Sequence, residues 1–194
     1  DRSVSRGLGD VYKRQDVCLL VMDVNELNTK LDQKLAGMIK EAGKGLIIVV
    51  SKWDSVEKDA YTRDALARDI AREFPFIAWA PLIFTSAITG QNVTKLFEIA
   101  STIHETRKTK LQTAKLNTLL KQCLMKHPPA GLKNTHPKLR YITQTGNNPP
   151  EFTVFGSELK LLHWSYKRFM EREFREAFGF EGTPINFKFV DRED

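Results

Sequence analysis

The chain has 194 residues, of which 41% are hydrophobic and 28% charged, and its formal net charge is +6 at pH 7. This composition is typical of a soluble globular protein with one domain and a small second one. No apolar run approaches the roughly 20 residues that span a bilayer, and no secretory signal is visible. We therefore expect a cytoplasmic location and no membrane partner. The two cysteines, Cys18 and Cys123, lie far apart in apolar patterns, which argues against a disulfide framework.

The first fifteen residues, 1–15, show neither a helical nor a strand period and do not continue the pattern behind them. We interpret them as a non-native or disordered segment and exclude them from the prediction of the fold. From Val17 onward the pattern is regular. Strands are predicted at 17–22, 46–50 and 82–85, and amphipathic helices at 29–42, 60–73 and 92–104. Strand–helix alternation repeated three times predicts a parallel sheet with right-handed crossovers.

A polar stretch around residues 106–110 indicates a domain boundary, and a second α/β pattern follows it. An amphipathic helix ends at His127, two strands follow, Ser157 can cap a long helix, and a last strand runs through Phe187. This order predicts a three-stranded sheet covered by helices on one face. We interpret the aromatic side chains of this half as core rather than as a base-stacking platform; they are Tyr141, Phe155, Trp164, Tyr166 and Phe169.

Short polar motifs follow two of the predicted strands. Ser51-Lys52-Trp53-Asp54 comes after the most apolar strand, and Thr85-Ser86-Ala87 leads to Gly90 after the next. Ligands of open α/β sheets bind at the carboxyl ends of the strands. A carboxylate held there can accept two parallel hydrogen bonds, as from the N1–H and exocyclic amine of guanine. Adenine presents the opposite polarity, and a site built on buried hydrogen bonds rejects the wrong partner by ~10⁴-fold or more.

The positive charge is concentrated in one segment. Residues 104–140 contain nine Lys or Arg residues and a single acid, Glu105, whereas the segments 16–103 and 141–194 each contain slightly more acids than bases. Such a cluster is expected where a protein contacts a phosphate backbone. A solvated helix and loop near an acidic partner domain is the alternative. The four histidines show no metal-ligand spacing.

The paired motifs resemble the two guanine-recognition motifs of translation-factor-type GTPases. The whole pattern from Asp16 to Val190 resembles the C-terminal part of the Der (EngA) family of bacterial GTPases, most specifically at 139–144, 149–152 and 179–185. The resemblance implies an α/β fold: a truncated P-loop-GTPase-type parallel sheet with helices on both faces, followed by a KH-like α+β domain of order αββαβ. The implied domains are residues 16–108, the C-terminal half of a G domain, and residues 109–194, the KH-like domain.

The resemblance also implies residue roles. Lys52 would lie along the guanine plane, Asp54 would accept from N1–H and the amine, and the N–H of Ala87 would donate to O6. Ser86 would brace the loop. Ser51 stands where the family usually has Asn, and since a hydroxyl is shorter and has no amide donor, we expect base recognition to be weakened but not abolished.

Function follows from the same resemblance. It implies a fragment of a ribosome-biogenesis GTPase that, at full length, binds GTP or GDP with Mg²⁺, hydrolyses GTP and acts in maturation of the large ribosomal subunit. The expected partners are that subunit or its rRNA and the N-terminal G domain or domains in cis, with no DNA. Candidate RNA contacts, which also include Arg107, are Lys108, Lys110, Lys115, Lys121, Lys126, Lys133, Lys138 and Arg140. Gly179 to Gly182 forms a G-x-x-G, which we expect to be a tight turn rather than the nucleic-acid grip of KH domains.

Two motifs of active GTPases are absent from the sequence. It contains no G-x-x-x-x-G-K-[ST] phosphate loop and no Asp-x-x-Gly, and it offers no ligands for Mg²⁺ and no catalytic residue. We therefore predict that the 194-residue chain alone does not hydrolyse GTP. The alternative function is a non-enzymatic RNA- or ribosome-binding module in which the G-domain half serves as scaffold.

Overall fold

The computed structural model describes residues 14–132 and 135–192, which form two compact units. The second unit contains Arg107–Phe180 and the chain from Ile185 onward, and the first contains the rest, including Glu181–Pro184. Within the described ranges no helix is both long enough and apolar enough to cross a bilayer.

The first unit is built on a three-stranded parallel sheet. Its strands are β1 (Val17–Asp23), β2 (Gly45–Ser51) and β3 (Leu82–Phe84), in the spatial order β1-β2-β3. Every residue of β2 except Ser51 is buried, because apolar side chains on both faces of this central strand are covered. Such burial on both faces is typical of the central strand of a parallel sheet and accounts for the apolar run predicted as a strand at 46–50.

Helices cover both faces of this sheet. They are α1 (Lys30–Glu41), α2 (Thr62–Glu73) and α3 (Lys95–Lys108). Ala36 of α1 and Ile70 of α2 belong to the cluster on one face, together with Leu20, Ile48 and Val50. Ile103 of α3 belongs to the cluster on the other face, with Ile47, Val49 and Ile83. The predicted sheet with helices on both faces is confirmed.

Local sequence explains where α1 begins. Thr29 and Asp32 form a capping box, in which the Asp32 N–H donates to the Thr29 hydroxyl at 3.1 Å and the Thr29 N–H donates to the Asp32 carboxylate at 2.9 Å. The box satisfies two main-chain donors that a helix start leaves open. The helix therefore starts within one residue of the predicted position.

The second unit has the predicted order αββαβ. Its elements are α4 (Thr113–Lys126), β4 (Lys138–Gly146), β5 (Glu151–Ser157), α5 (Trp164–Phe178) and β6 (Asn186–Asp191). Strand β5 is central, antiparallel to β4 and parallel to β6. Both helices pack on one face of the sheet, where a single core joins Leu116 and Met170 to Ile142, Phe152 and Val154.

The start of α5 differs from the prediction. Ser157 ends β5 instead of capping a helix, and a 3₁₀ turn over Leu159–Leu161 follows. Glu158 has φ of 57°, in the left-handed region, so the chain turns sharply after the strand. The cap of α5 is His163, whose Nδ1 accepts from the Ser165 N–H at 3.3 Å.

The aromatic residues assigned to the core of the second unit do not all lie there. Tyr166 is buried, and Phe169 is partly buried against the core. Tyr141 and Trp164 are 44% and 59% exposed, and Phe155 is half-buried outside this core, so the prediction is wrong for these three residues. For Tyr141 the cause is a shift of register between Leu139 and Tyr141, which breaks the in–out alternation of β4.

Candidate functional site

The predicted polar motifs meet at the carboxyl end of the first sheet. The N–H of Trp53, after β2, donates to the carbonyl of Thr85, after β3, at 3.0 Å, and the N–H of Thr85 donates back to Val50 at 2.8 Å. The Trp53 ring is buried and packs on Phe84 with ring centroids 4.6 Å apart. Main-chain pairing and this aromatic contact hold the two loops side by side.

Asp54 and Ser86 are brought into direct contact. The buried Ser86 hydroxyl donates to Oδ1 of Asp54, and its oxygen accepts from the Thr89 N–H at 3.1 Å. The Ser86 bond, with smaller contributions that include Lys58 and Lys52, lowers the pKa of Asp54. The half-buried Asp54 side chain is therefore a carboxylate of fixed orientation. The hydrogen bond from Ser86 uses only part of the capacity of this carboxylate to accept hydrogen bonds.

Lys52 lies beside this carboxylate but is paired elsewhere. Its Nζ is 2.6 Å from Oδ2 of Asp23, at the end of β1, and this pair raises the pKa of Lys52 and lowers the pKa of Asp23. The main chain of Lys52 has φ of 56°, which is uncommon for a residue with a side chain. Both side chains are substantially exposed, so the pair orients Lys52 more than it stabilises the fold.

Ser51 connects neighbouring strands. Its hydroxyl donates to the carbonyl of Met22 at 3.0 Å, which ties the end of β2 to the end of β1. In this arrangement the only hydroxyl proton of Ser51 is used within the protein. The residue braces the loop that carries Lys52 and Asp54.

Ala87 begins the exposed turn that follows the buried Ser86. The turn is held by Asn92, whose side-chain amide donates to the carbonyl of Phe84 at 2.8 Å, and by the Ser86 N–H, which donates to Gln91 at 3.2 Å. Sequence reasoning did not find Asn92 or the role of Asp23. The position of Asp23 at the carboxyl end of a predicted strand could have identified it as a site residue. No such feature of the sequence marks Asn92.

The candidate RNA contacts that the structure describes all lie in the second unit, and all except Arg107 are exposed; Lys133 is outside the described residues. Lys115 and Lys121 lie on α4, whereas Lys138 and Arg140 lie on β4. Lys126 forms an ion pair with Glu173, so its ammonium group is already engaged. Arg107 was wrongly placed in this set. It lies in the last turn of α3, is 1% exposed, and its Nε donates to Oδ1 of Asn148, in the turn between β4 and β5, at 2.7 Å.

The G-x-x-G of the second half is a structural turn. Gly179 ends α5 with φ of 84°, and Gly182 has φ of 74°. The Gly182 N–H donates to Trp79 and its carbonyl accepts from Leu46, both at 2.8 Å, within the first unit. A Cβ on Gly182 would overlap the side chain of Ile103. These bonds occupy the main-chain groups that a nucleic-acid grip would need.

Metal binding has no counterpart among the described residues. Within 14–132 and 135–192, no three His, Cys, Asp or Glu side chains are grouped so as to hold a metal ion. The geometry at the first sheet suits a planar base with two adjacent donors, since Asp54 is an oriented acceptor next to an exposed turn.

Comparison with known proteins identifies related families. Residues 110–189 match the family model described as the KH-domain-like region of EngA bacterial GTPase enzymes, C-terminal. The chain is 44% identical over 183 residues to GTPase Der of Desulfitobacterium hafniense, a match that covers 94% of this chain and 41% of that protein. It is 40% identical over 182 residues to GTPase Der of Chloroflexus aggregans, covering 93% and 40%. The chain thus spans about two fifths of the length of the curated relatives it matches.

Two solved structures of Era GTPases also align, each over 97% of this chain and 69% of the solved chain at 18% identity. One is Aquifex aeolicus Era bound to GDP.AlF4-, with a TM-score of 0.43, and the other is Era in complex with MgGDPNP and nucleotides of 16S ribosomal RNA, with a TM-score of 0.44. This likeness is too low to carry an argument. The predicted resemblance to the Der (EngA) GTPases is confirmed by the family model and by the curated relatives.

Proposed function

From this similarity to Der GTPases, we propose that the chain combines the base-recognition half of a GTPase domain with a KH-like RNA-binding domain. The proposed domains are residues 16–108 and 109–194. In a complete GTPase of this kind, GTP or GDP and Mg²⁺ would be bound, GTP would be hydrolysed, and the proposed task is assembly of the large ribosomal subunit in the cytoplasm. The proposed partners are that subunit or its rRNA and G-domain sequence in cis.

The oriented Asp54 carboxylate is the observation that carries the nucleotide proposal. Ser86 fixes one of its oxygens and is itself fixed by Thr89, so Asp54 can accept from the N1–H and amine of guanine without first losing its own side-chain freedom. The exposed Ala87 N–H would donate to O6 of the base. Lys52 would cover one face of the base, which requires its ammonium group to swing from Asp23.

Ser51 has a supporting part in this proposal. In place of the amide that the family usually has, its hydroxyl bonds to Met22 and holds the loop from the strand side. Contacts that an Asn would make to the base or to neighbouring loops are absent. We therefore expect weaker guanine affinity than a site with Asn would have, with selectivity for guanine retained through Asp54.

The nucleotide proposal is tested by titrating the purified chain with a fluorescent guanine nucleotide and with its adenine analogue. Guanine-selective binding that Asp54→Asn abolishes is the expected result, since the amide presents a donor where the base also has donors. Glu57→Gln is the matched control, because Glu57 is an exposed acid three residues away. Equal affinity for the guanine and adenine nucleotides, or guanine-selective binding that persists in Asp54→Asn, would contradict the proposal.

Turnover is a separate question. The sequence contains no G-x-x-x-x-G-K-[ST] motif, and in-line phosphoryl transfer depends on the groups that hold the phosphates and Mg²⁺. We expect no GTP hydrolysis above background from the 194-residue chain. Steady release of phosphate that follows the protein through purification and is lost in Asp54→Asn would contradict this.

RNA contact rests on the exposed lysines of the second unit. A protein that neutralises phosphates releases their counterions. The logarithm of its binding constant therefore falls linearly with the logarithm of the salt concentration, by about 0.7 per neutralised phosphate for single strands. We expect Lys115→Gln combined with Lys121→Gln to lower RNA affinity and flatten that slope. Lys30→Gln with Lys34→Gln on α1 is the control, since both lysines are exposed in the first unit. An unchanged slope in the α4 variant would contradict the proposal.

A second candidate function is an RNA-binding module whose first unit is only scaffold. It is favoured by the internal pairing of Lys52 with Asp23 and of Ser51 with Met22, which engages side chains of the motif within the protein. RNA binding without any guanine selectivity would support this function over the first.

A further inference from the structure

One face of the second sheet is covered by helices and the opposite face is not uniformly polar. Phe152 and Val154 of β5 point into the core with α4 and α5. The intervening residues of β5 point the other way, and there the register aligns Tyr141, Phe155 and Val190 in one row across the three strands. This row, with Arg140, Lys188 and Arg192 around it, is here termed the open sheet face.

Flat groups form a continuous surface on this face. The rings of Tyr141 and Phe155 have centroids 6.3 Å apart and planes inclined by only 30°, so they lie nearly side by side. The guanidinium carbon of Arg192 is 4.3 Å from the centroid of Phe155. Tyr141 and Val190 are 44% and 39% exposed, so a ligand can reach both ends of the row.

The row departs from what a solvated sheet face usually carries. Strands that are open to water on one side normally place polar residues there, and a single exposed aromatic needs no explanation. Here the bulge at Leu139/Tyr141 turns Arg140 and Tyr141 outward together, so that a cation stands beside the exposed ring.

Charge on the face favours a polyanion. Arg140, Lys188 and Arg192 are cations on or beside the row, and the one acid among the paired positions there, Glu151, is neutralised by Lys188 at 2.7 Å. Aromatic rings and guanidinium planes are the groups on which unpaired bases stack, and basic side chains between them bind the phosphates. A duplex hides its bases and cannot use the rings.

We propose that the open sheet face binds single-stranded RNA by stacking one or two unpaired bases on the Tyr141 ring and on the Arg192 guanidinium group that covers Phe155. Arg140 contacts a flanking phosphate. The inference rests on the proposed RNA-binding function of the second unit and specifies its ligand as unpaired rather than duplex RNA. This surface does not include Lys115 and Lys121 of α4, whose substitution tests RNA binding by the second unit in general.

The test measures binding of the full chain to a 5′-fluorescein 12-nucleotide oligouridine and to a 12-base-pair RNA duplex by anisotropy at fixed salt. Loss of one stacked base costs about tenfold in affinity, so Tyr141→Ala should weaken oligouridine binding about tenfold and leave duplex binding unchanged. Tyr141→Phe, which keeps the ring, should bind like the parent chain. Tyr61→Ala is the matched control, because Tyr61 is an exposed tyrosine of the first unit.

The outcomes distinguish failure of base stacking on the open sheet face from failure of RNA binding by the second unit. If Tyr141→Ala binds oligouridine as the parent does while Lys115→Gln/Lys121→Gln binds it less well, stacking is overturned and the RNA-binding function stands. If the parent binds neither RNA, both are overturned. If RNA binding is unaffected and Tyr141→Ala instead suppresses self-association in sedimentation, the face is a protein interface and the inference is overturned.

Discussion

The two units cover their sheets differently. In the second unit a single cluster joins both helices to the sheet, and Phe152, Met170 and Phe174 within it are completely buried. In the first unit the sheet divides the buried residues into two clusters, and the smaller consists of Ile47, Val49, Ile83 and Ile103. On β1, Leu19 and Val21 are 46% and 57% exposed.

The difference in coverage implies that the unit with the candidate base site is not the more stable one. The candidate base site lies on the unit with the less completely covered sheet, whose strand β1 has no partner at its outer edge among the described residues. Such an edge invites association with another strand. We therefore expect the first unit to be the less stable of the two and the second to keep its fold regardless of ligand.

The largest loss of stability is expected from Phe152→Ala, in the second unit. Phe152 is fully buried and its ring contacts the rings of Phe174, Phe180 and Phe187, so truncation leaves a cavity that the surrounding rings cannot fill, at a cost of about 3–5 kcal/mol. Hydrogen exchange read by mass spectrometry should show loss of protection in β4, β5 and α5. Phe97→Ala is the control, since that ring is 75% exposed.

The same exchange experiment tests the comparison itself. In the parent chain, peptides from β1 and β3 should exchange before those of β5. Equal protection of the two sheets, or a Phe152→Ala variant that unprotects only the first, would contradict the assignment of greater stability to the second unit.

A substitution at Gly182 should act on the first unit instead. Its φ of 74° is costly for any residue with a Cβ, by about 1–2 kcal/mol, and the new methyl group would meet Ile103, which adds an overpacking cost of about 1–3 kcal/mol. Gly182→Ala should therefore lower the free energy of unfolding of the first unit by about 2–5 kcal/mol, measured by urea denaturation.

Gly90→Ala separates the two parts of this cost. Gly90 belongs to the same unit and has the same φ of 74°, but no atom lies within 4 Å of the added methyl group, so only the conformational cost of about 1–2 kcal/mol is expected. Equal losses in the two variants would mean that contact with Ile103 is unimportant.

The sequence predicted what depends on local pattern. The apolar run of β2 and the alternation of strands and helices were sufficient to predict the two sheets and their helices. The paired motifs also indicated that Asp54 and Ser86 would lie together, because carboxyl ends of parallel strands share one edge.

What the sequence did not predict depends on contacts between distant segments. A bulge in β4 exposes Tyr141, and no alternation pattern reveals which residue a bulge will shift. Arg107 looked like one more basic surface residue until its bond to Asn148, 41 positions away, placed it in the interior. The pairing of Lys52 with Asp23 likewise joins the ends of two strands that are distant in sequence.

An intermediate effect is expected at the base site when Ser86 is replaced by Ala. The Ser86 hydroxyl is the largest cause of the lowered pKa of Asp54, so this pKa should rise towards its ordinary value of 3.8 in the variant. A carboxylate with a lowered pKa stays ionised until the pH falls through that pKa, and protonation removes the acceptor that guanine needs. Base binding should therefore be lost below pH 3.8 in the parent chain and at a higher pH in Ser86→Ala.

The pKa of Asp54 can be followed by NMR titration of its carboxyl group, with or without nucleotide. At neutral pH the variant should bind guanine nucleotide about tenfold more weakly, because a hydrogen bond to a charged group is lost. Ser101→Ala, at an exposed position of α3, is the control. An unchanged pKa of Asp54 in Ser86→Ala would contradict the proposed orientation of the carboxylate.

The smallest effect is expected at Gly37, within α1 of the less stable unit. A glycine inside a helix costs about 0.5–1 kcal/mol relative to alanine, and no atom lies within 4 Å of the methyl group that Gly37→Ala would add. The variant should raise the free energy of unfolding of the first unit by about that amount, with no change in exchange from β5. Because the substitution adds helix propensity without touching the base site, it also shows whether nucleotide affinity is limited by partial unfolding of this unit. If stability rises and guanine affinity rises with it, the site is limited by folding; if affinity stays constant, the internal bonds of Ser51 and Lys52 set the limit.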